Sequence, residues 1–209
     1  MMISSHHDIE SLGRFSPDKP MKILLSACLL GDKCGVDGNA YGPFFYIEKI
    51  VSLNNVSCVK FCPEHFSFGT PRNTPDIVGG NGFDVLKGTA RVISSEGEDW
   101  TEGMLKAAKA MLTLAIKENI DVAILTDFSA ACGPQVIFDG VRNKEALRYQ
   151  KGPGVCAALL VQNGFKIIGH KDFKTLGFLH KKLDPRHQLN PSQRDQHETE
   201  EYLKLFGHP

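Results

Sequence analysis

No stretch of this 209-residue sequence approaches the ~20 consecutive apolar residues that a membrane-spanning helix needs. The opening segment, MMISSHHDIESLGRFSPDKP, has no apolar core and carries Pro17 and Pro20. A secretory leader is therefore not expected, and the chain reads as cytoplasmic, with no membrane partner. Neither sign of charge is in surplus. The 24 basic residues equal the 24 acidic ones, so the formal net charge is +0. That balance removes the electrostatic case for gripping a nucleic-acid polymer or an anionic membrane. It leaves a small nucleobase-like ligand untouched. Internal repeats and low-complexity tracts are also missing. So are the C-x-x-C pair of a redox thiol protein and the glycine fingerprint of a dinucleotide or phosphate loop.

What is present is enough for a packed core, with 42% hydrophobic and 23% charged residues. The length allows one α/β domain with extensions. Residues 22–27 (KILLSA), 56–61 (VSCVKF) and 122–126 (VAILT) read as buried strands, and 90–94, 135–138 and 166–169 as shorter ones. Helical spacing predicts helices over 44–53, 100–118, about 153–162 and 192–206. Asp99 and Glu102 have capping-box spacing at the start of the second. The stretch from Gly69 to Gly88 reads as loop, and 171–191 as polar and turn-rich. Strands separated by helices argue for a three-layer, Rossmann-like α/β fold. Its sheet is mainly parallel with helices on both faces, and a C-terminal helical extension follows. The division expected is a polar tail (1–20), an α/β domain (21–170) and an extension (171–209) whose helix docks on the domain or on a second copy. Either a monomer or a homodimer satisfies that reading.

Six cysteines in a cytoplasmic chain point to metal or redox chemistry, or to buried thiols, before disulfides. Three of them, Cys28, Cys62 and Cys132, fall in turns just after three different strands. In open parallel sheets, ligands bind beyond the carboxyl ends of the strands, so these three define one shared site. Cys58, inside a strand, and Cys156, inside GVCAALL, read as core thiols. Cys34 is a fourth ligand, a sulfur relay or a bystander. Structural zinc favours paired knuckles, which this spacing lacks. Thiolates also select iron–sulfur clusters, and a site of three cysteines leaves one iron of a [4Fe–4S] cluster open to substrate.

Polar neighbours add chemistry. Glu64, two residues after Cys62, is either a proton donor and acceptor or an ordinary loop glutamate. Ser129, three residues before Cys132, either bonds a substrate or caps its own turn. Arg72 is expected to pair with Asp76 across a turn rather than to bind a substrate carbonyl. His65 reads as a surface residue. His170, His180, His187, His197 and His208 show no ligand spacing and carry no assigned role. GPG at 152–154, before a helix, offers backbone N–H groups to an anion, a weak signal.

The segments SACLLGDKCGVDG (26–38), FCPE (61–64), TPRNTPD (70–76), SAACG (129–133), IFDG (137–140) and GPGVCAALLVQNG (152–164) occur together and in order. In these the sequence resembles a bacterial family, long known as a domain of unknown function, that is associated with thiouracil desulfidases. The resemblance implies a [4Fe–4S] cluster held by residues matching Cys28, Cys62 and Cys132. It implies a free iron that takes sulfur from a thiolated pyrimidine such as 2-thiouracil and releases sulfide, a role in sulfur metabolism. Glu64 matches the family's acidic proton donor or acceptor and Ser129 its serine. Family members often lack a cysteine at the place of Cys34, which favours three ligands. A sulfur transferase using the same site, and a zinc or iron–sulfur sensor or scaffold without turnover, are the alternatives.

Overall fold

The computed structural model describes residues 6–140, 142 and 147–207. Residues 1–5 of the expected tail and His208 lie outside the described residues. In chain order the strands are β1 (Met21–Ser26), β2 (Val56–Phe61), β3 (Pro75–Val78), β4 (Arg91–Ser94), β5 (Val122–Leu125), β6 (Val136–Phe138), β7 (Tyr149–Lys151) and β8 (Lys166–Gly169). The α-helices are α1 (His6–Glu10), α2 (Phe45–Val51), α3 (Pro63–Phe68), α4 (Gly82–Lys87), α5 (Thr101–Lys117), α6 (Val155–Gln162), α7 (Phe173–Leu183) and α8 (Glu200–Phe206). No helix among the described residues is long and apolar enough to cross a membrane.

The central sheet has four strands in the order β2-β1-β5-β8, all parallel. Its inner strands are covered on both faces, as all-parallel sheets require. All four residues of β5 (VAIL) are buried. On one face Leu24, Ala123, Leu125 and Ile167 pack under α5 and α6. On the other, Ile23, Leu25, Val122, Ile124 and Ile168 pack under α2 and α7, with Ile9 of α1. The expected three-layer α/β fold with a C-terminal helical extension is therefore what the chain adopts.

Element by element, some expectations change. Helix α5 buries Met104, Ala107, Ala108, Met111 and Ala115, the stripe its sequence spacing predicts. It begins one residue later than expected, with Asp99 Oδ1 accepting from the Thr101 N–H at 3.0 Å. The segment expected as loop over 69–88 contains β3 and α4. The shorter strands at 90–94 and 135–138 do not join the central sheet. Strand β4 pairs antiparallel with β3, and β6 with β7. Cys58 is not a core thiol. Strand β2 is the sheet's edge, and Cys58 is exposed, whereas Cys156 is fully buried as expected. The polar-looking 171–191 holds α7, which buries Leu176, Leu179 and Leu183. The expected helix over 192–206 is split. A 3-10 turn (Gln196–Glu198) precedes α8.

Candidate active site

The sheet order reverses direction between β1 and β5, and ligands in such folds bind at that crevice. Strand β1 runs straight into a 3-10 turn, Ala27–Leu30, which carries Cys28. The turn is clamped from above by Gly42, whose N–H donates to the Cys28 carbonyl at 3.0 Å. A Cβ on Gly42 would meet the Leu29 carbonyl oxygen at 2.6 Å, so only glycine fits. Strand β2 ends at Cys62, the N-cap of α3. Its sulfur accepts from the His65 N–H at 3.4 Å, and Pro63 opens the helix. Strand β5 ends by donating the Thr126 N–H to Ser26 Oγ at 3.1 Å. Its loop then delivers Ser129 and Cys132.

These junctions surround one cavity of about 300 Å³ lined by Cys28, Cys34, Cys62, Cys132, Glu64 and Ser129. The structure thus brings together every residue singled out for the site. All four thiols are free. The Cys62 thiol donates to the Cys34 carbonyl at 3.8 Å. The neighbouring Cys28 thiol, with burial, pushes the Cys34 pKa up to about 11, and the neighbouring Cys34 thiol, then burial, pushes the Cys62 thiol well up. Burial does the same to Cys132. A thiophilic metal displaces the protons of such soft donors as it binds them. Among the described residues no three His, Cys, Asp or Glu side chains converge closely enough to hold a single ion. A cluster distributes its thiolates over separate irons, and the Cys62 sulfur already accepts a backbone N–H, a contact that tunes such sites. The donor set therefore fits an iron–sulfur cluster.

Glu64 is placed by two partners. Ser129 Oγ donates to its Oε1 at 2.9 Å, and Arg72 Nη2 donates to its Oε2 at 2.7 Å. Ser129 also caps its turn, since Oγ accepts from the Ala131 and Cys132 N–H groups at 3.1 and 3.0 Å. Of the two expectations for that serine, the turn cap is the one seen here, joined by a bond to Glu64. Arg72 does not pair with Asp76. It is buried against Glu64 and also donates to the carbonyls of Cys34 and Gly69 at 3.0 and 3.1 Å. Asp76 instead takes Arg142, with Nε 2.9 Å from Oδ1. His65 is exposed, as expected. The GPG segment offers no anion site. The N–H groups of Gly154, Val155 and Cys156 donate to the carbonyls of Gly133, Ala130 and Ala131 at 2.8, 2.8 and 2.9 Å.

Among the cavity residues that the sequence reading left without a role, two pair with each other. His170, just past β8, lines the cavity with Asp127, and its Nδ1 lies 2.8 Å from Asp127 Oδ2. The Asp127 N–H also reaches that nitrogen, at 3.1 Å, so one residue fixes the orientation of the ring. The signal was available: His170 stands at a strand's carboxyl end, as the three cysteines do.

Fold and site together define a Rossmann-like α/β protein with a thiol-lined cavity beyond its parallel strands. The chain belongs to the 2-thiouracil desulfurase family, whose model matches residues 23–172. It is 36% identical over 155 residues to the uncharacterized protein YbbK of Bacillus subtilis (strain 168), covering 74% of this chain and 99% of that one. It also resembles the solved structure of TudS, a [4Fe–4S]-dependent thiouracil desulfidase. That likeness has a TM-score of 0.59 at 26% identity, and covers 72% of this chain and 91% of the other.

Proposed function

We propose that this chain is an iron–sulfur-dependent desulfurase that converts a thiolated pyrimidine such as 2-thiouracil, with water, into the oxo-base and sulfide. Cys28, Cys62 and Cys132 are its cluster ligands, and residues 21–170 its catalytic unit. The observation that carries the reading is the Glu64–Ser129 hydrogen bond in the same cavity as those thiols. When bound, a [4Fe–4S] cluster with an open iron supplies a thiophilic Lewis acid for the C=S sulfur.

The chain's own residues orient the base and move protons. Phe44 and Phe128 line the cavity and offer flat apolar surface to a pyrimidine ring. Arg72 pins Glu64 Oε2, so Oε1 and the Ser129 hydroxyl are left toward the reacting atoms. Glu64 takes a proton from the attacking water at Oε1 and returns it to the leaving sulfur. The two protons of the water end on sulfide, and its oxygen ends on the ring carbon. Cys34 supports the ligand thiols without being a ligand itself.

Purification without oxygen, with iron and acid-labile sulfide quantified, tests the cofactor. Incubation with 2-thiouracil tests turnover. We expect iron-bearing protein that releases sulfide and uracil in equal amounts. Cys28→Ser, Cys62→Ser and Cys132→Ser should each lose iron, and Cys34→Ser should keep it. Glu64→Gln should keep iron and lose sulfide release by about 100-fold or more. Stoichiometric zinc without iron sinks the cluster. Iron-loaded protein that releases no sulfide sinks the desulfurase and leaves a sensor or scaffold.

A further inference from the structure

A second cavity, of about 330 Å³, adjoins the first and shares Phe44, Phe128 and His170 with it. Its outer wall is formed by Phe173, Tyr202, Leu205 and Phe206. All four lie beyond residue 172, where the family match ends. The thiol-lined cavity therefore falls within the family match, while the outer wall of its neighbour lies beyond it.

The junction between the two is held firmly. The His170 ring is tied at Nδ1 to Asp127 and meets the Phe44 ring edge-on at 5.0 Å between centroids. The far wall is held as well. Lys151 Nζ lies 5.6 Å from the ring centroids of both Tyr202 and Phe206. Two polar groups at the rim are already engaged, while Gln196 Oε1 is buried without a partner among the described residues. The Thr199 hydroxyl donates to the Gln196 carbonyl at 2.7 Å, and the Lys171 ammonium sits 4.5 Å over the Phe128 ring. What faces the space is chiefly aromatic and aliphatic carbon, which recognises carbon and not charge.

We propose that this cavity receives an apolar substituent carried by the pyrimidine, so that the chain prefers an alkyl- or aryl-substituted thiopyrimidine to the bare base. This rests on the desulfurase reading and names its substrate class. The thiocarbonyl end stays among the thiols, and the substituent passes between Phe44, Phe128 and His170 into the second space.

The test compares sulfide release by the anaerobically prepared protein from 2-thiouracil, its 5-propyl and 6-propyl derivatives, and 2-thiouridine. One propyl base should exceed the bare base in kcat/KM by about tenfold, a discounted return on burying three carbons. In calorimetry the matching propyluracil should bind more tightly than uracil by a similar factor. Tyr202→Ala should cut that preference several-fold. Leu205→Trp, which fills the space from a half-exposed position, should cut it without removing packing. Turnover of 2-thiouracil with no preference for either propyl base overturns the cavity's role and leaves the desulfurase standing. So does a preference for 2-thiouridine, or a propyl preference untouched by both substitutions. No sulfide from any base overturns both readings.

Discussion

Arg72 is almost fully buried, at 4% side-chain exposure, and Glu64 has 13%. A charge pair that deep is held by geometry, because each ion has lost most of its water. Arg72 answers with a fork to Glu64 and further donations to the Cys34 and Gly69 carbonyls and to Thr70 Oγ1. It thereby ties the second strand's cysteine loop to the loop of Cys34. Arg72→Met leaves the Glu64 carboxylate and two carbonyls without that donor, and we expect a loss of about 3–5 kcal/mol in urea unfolding. Arg72→Lys keeps the charge but cannot fork, so it should recover part of the stability and little of the sulfide release. A loss below about 1 kcal/mol for Arg72→Met would show the pair to be incidental. At this scale the cysteines were readable because each follows an apolar run at a strand's end. Arg72's partner was not. Asp76 is closer in sequence, but β3 turns it toward Arg142, and no local spacing records where a chain returns in space.

Where β8 hands over to α7, Asp172 collects donors from three places. Its Oδ2 accepts from the Gly169 N–H at 2.8 Å. Its Oδ1 accepts from the Gln196 N–H at 3.0 Å and from Gln135 Nε2 at 2.8 Å. Burial, with the Asp127 and Asp195 carboxylates nearby, raises its pKa from 3.8 to about 7. In that window the folded chain holds a proton that the unfolded chain has released. Stability from this group is therefore complete below about pH 4 and is lost as pH rises toward 7. We expect the thermal midpoint to fall between pH 5 and 7.5 more steeply than in Asp172→Asn, which has no proton to lose. Parallel slopes in the two proteins would refute it. The sequence hid this junction because α7 buries only a thin leucine stripe, Leu176, Leu179 and Leu183, among three lysines and a histidine. Strands β3 and β4 were obscured for another reason. They are four residues each and pair with one another, so they lack the long apolar run of a central strand.

Across the whole molecule, the sheet needs both of its helical layers, and they come from different parts of the chain. The layer of α5 and α6 lies inside the family match, but α7 begins one residue after it. The match to YbbK spans 155 residues and the family match ends at residue 172, as though the fold closed there. The packing argues otherwise. Leu176, Leu179 and Leu183 are at most 5% exposed and cover Ile23, Leu25 and Ile168. At about 1.5–3 kcal/mol for each buried leucine, their removal rivals the whole stability of a typical domain, about 5–15 kcal/mol. Asp195 adds to the attachment by accepting from both the N–H and the hydroxyl of Thr175, at 2.8 and 2.7 Å. Helix α8, in contrast, has no fully buried residue. A chain ended after Asp172 should therefore aggregate or fail to unfold cooperatively. One ended after Thr199, which keeps α7, Asp195 and Gln196, should melt within a few degrees of the full chain. Thermal unfolding followed by circular dichroism separates the two. A cooperative transition from the shorter chain would mean that α7 rests on a core already complete without it.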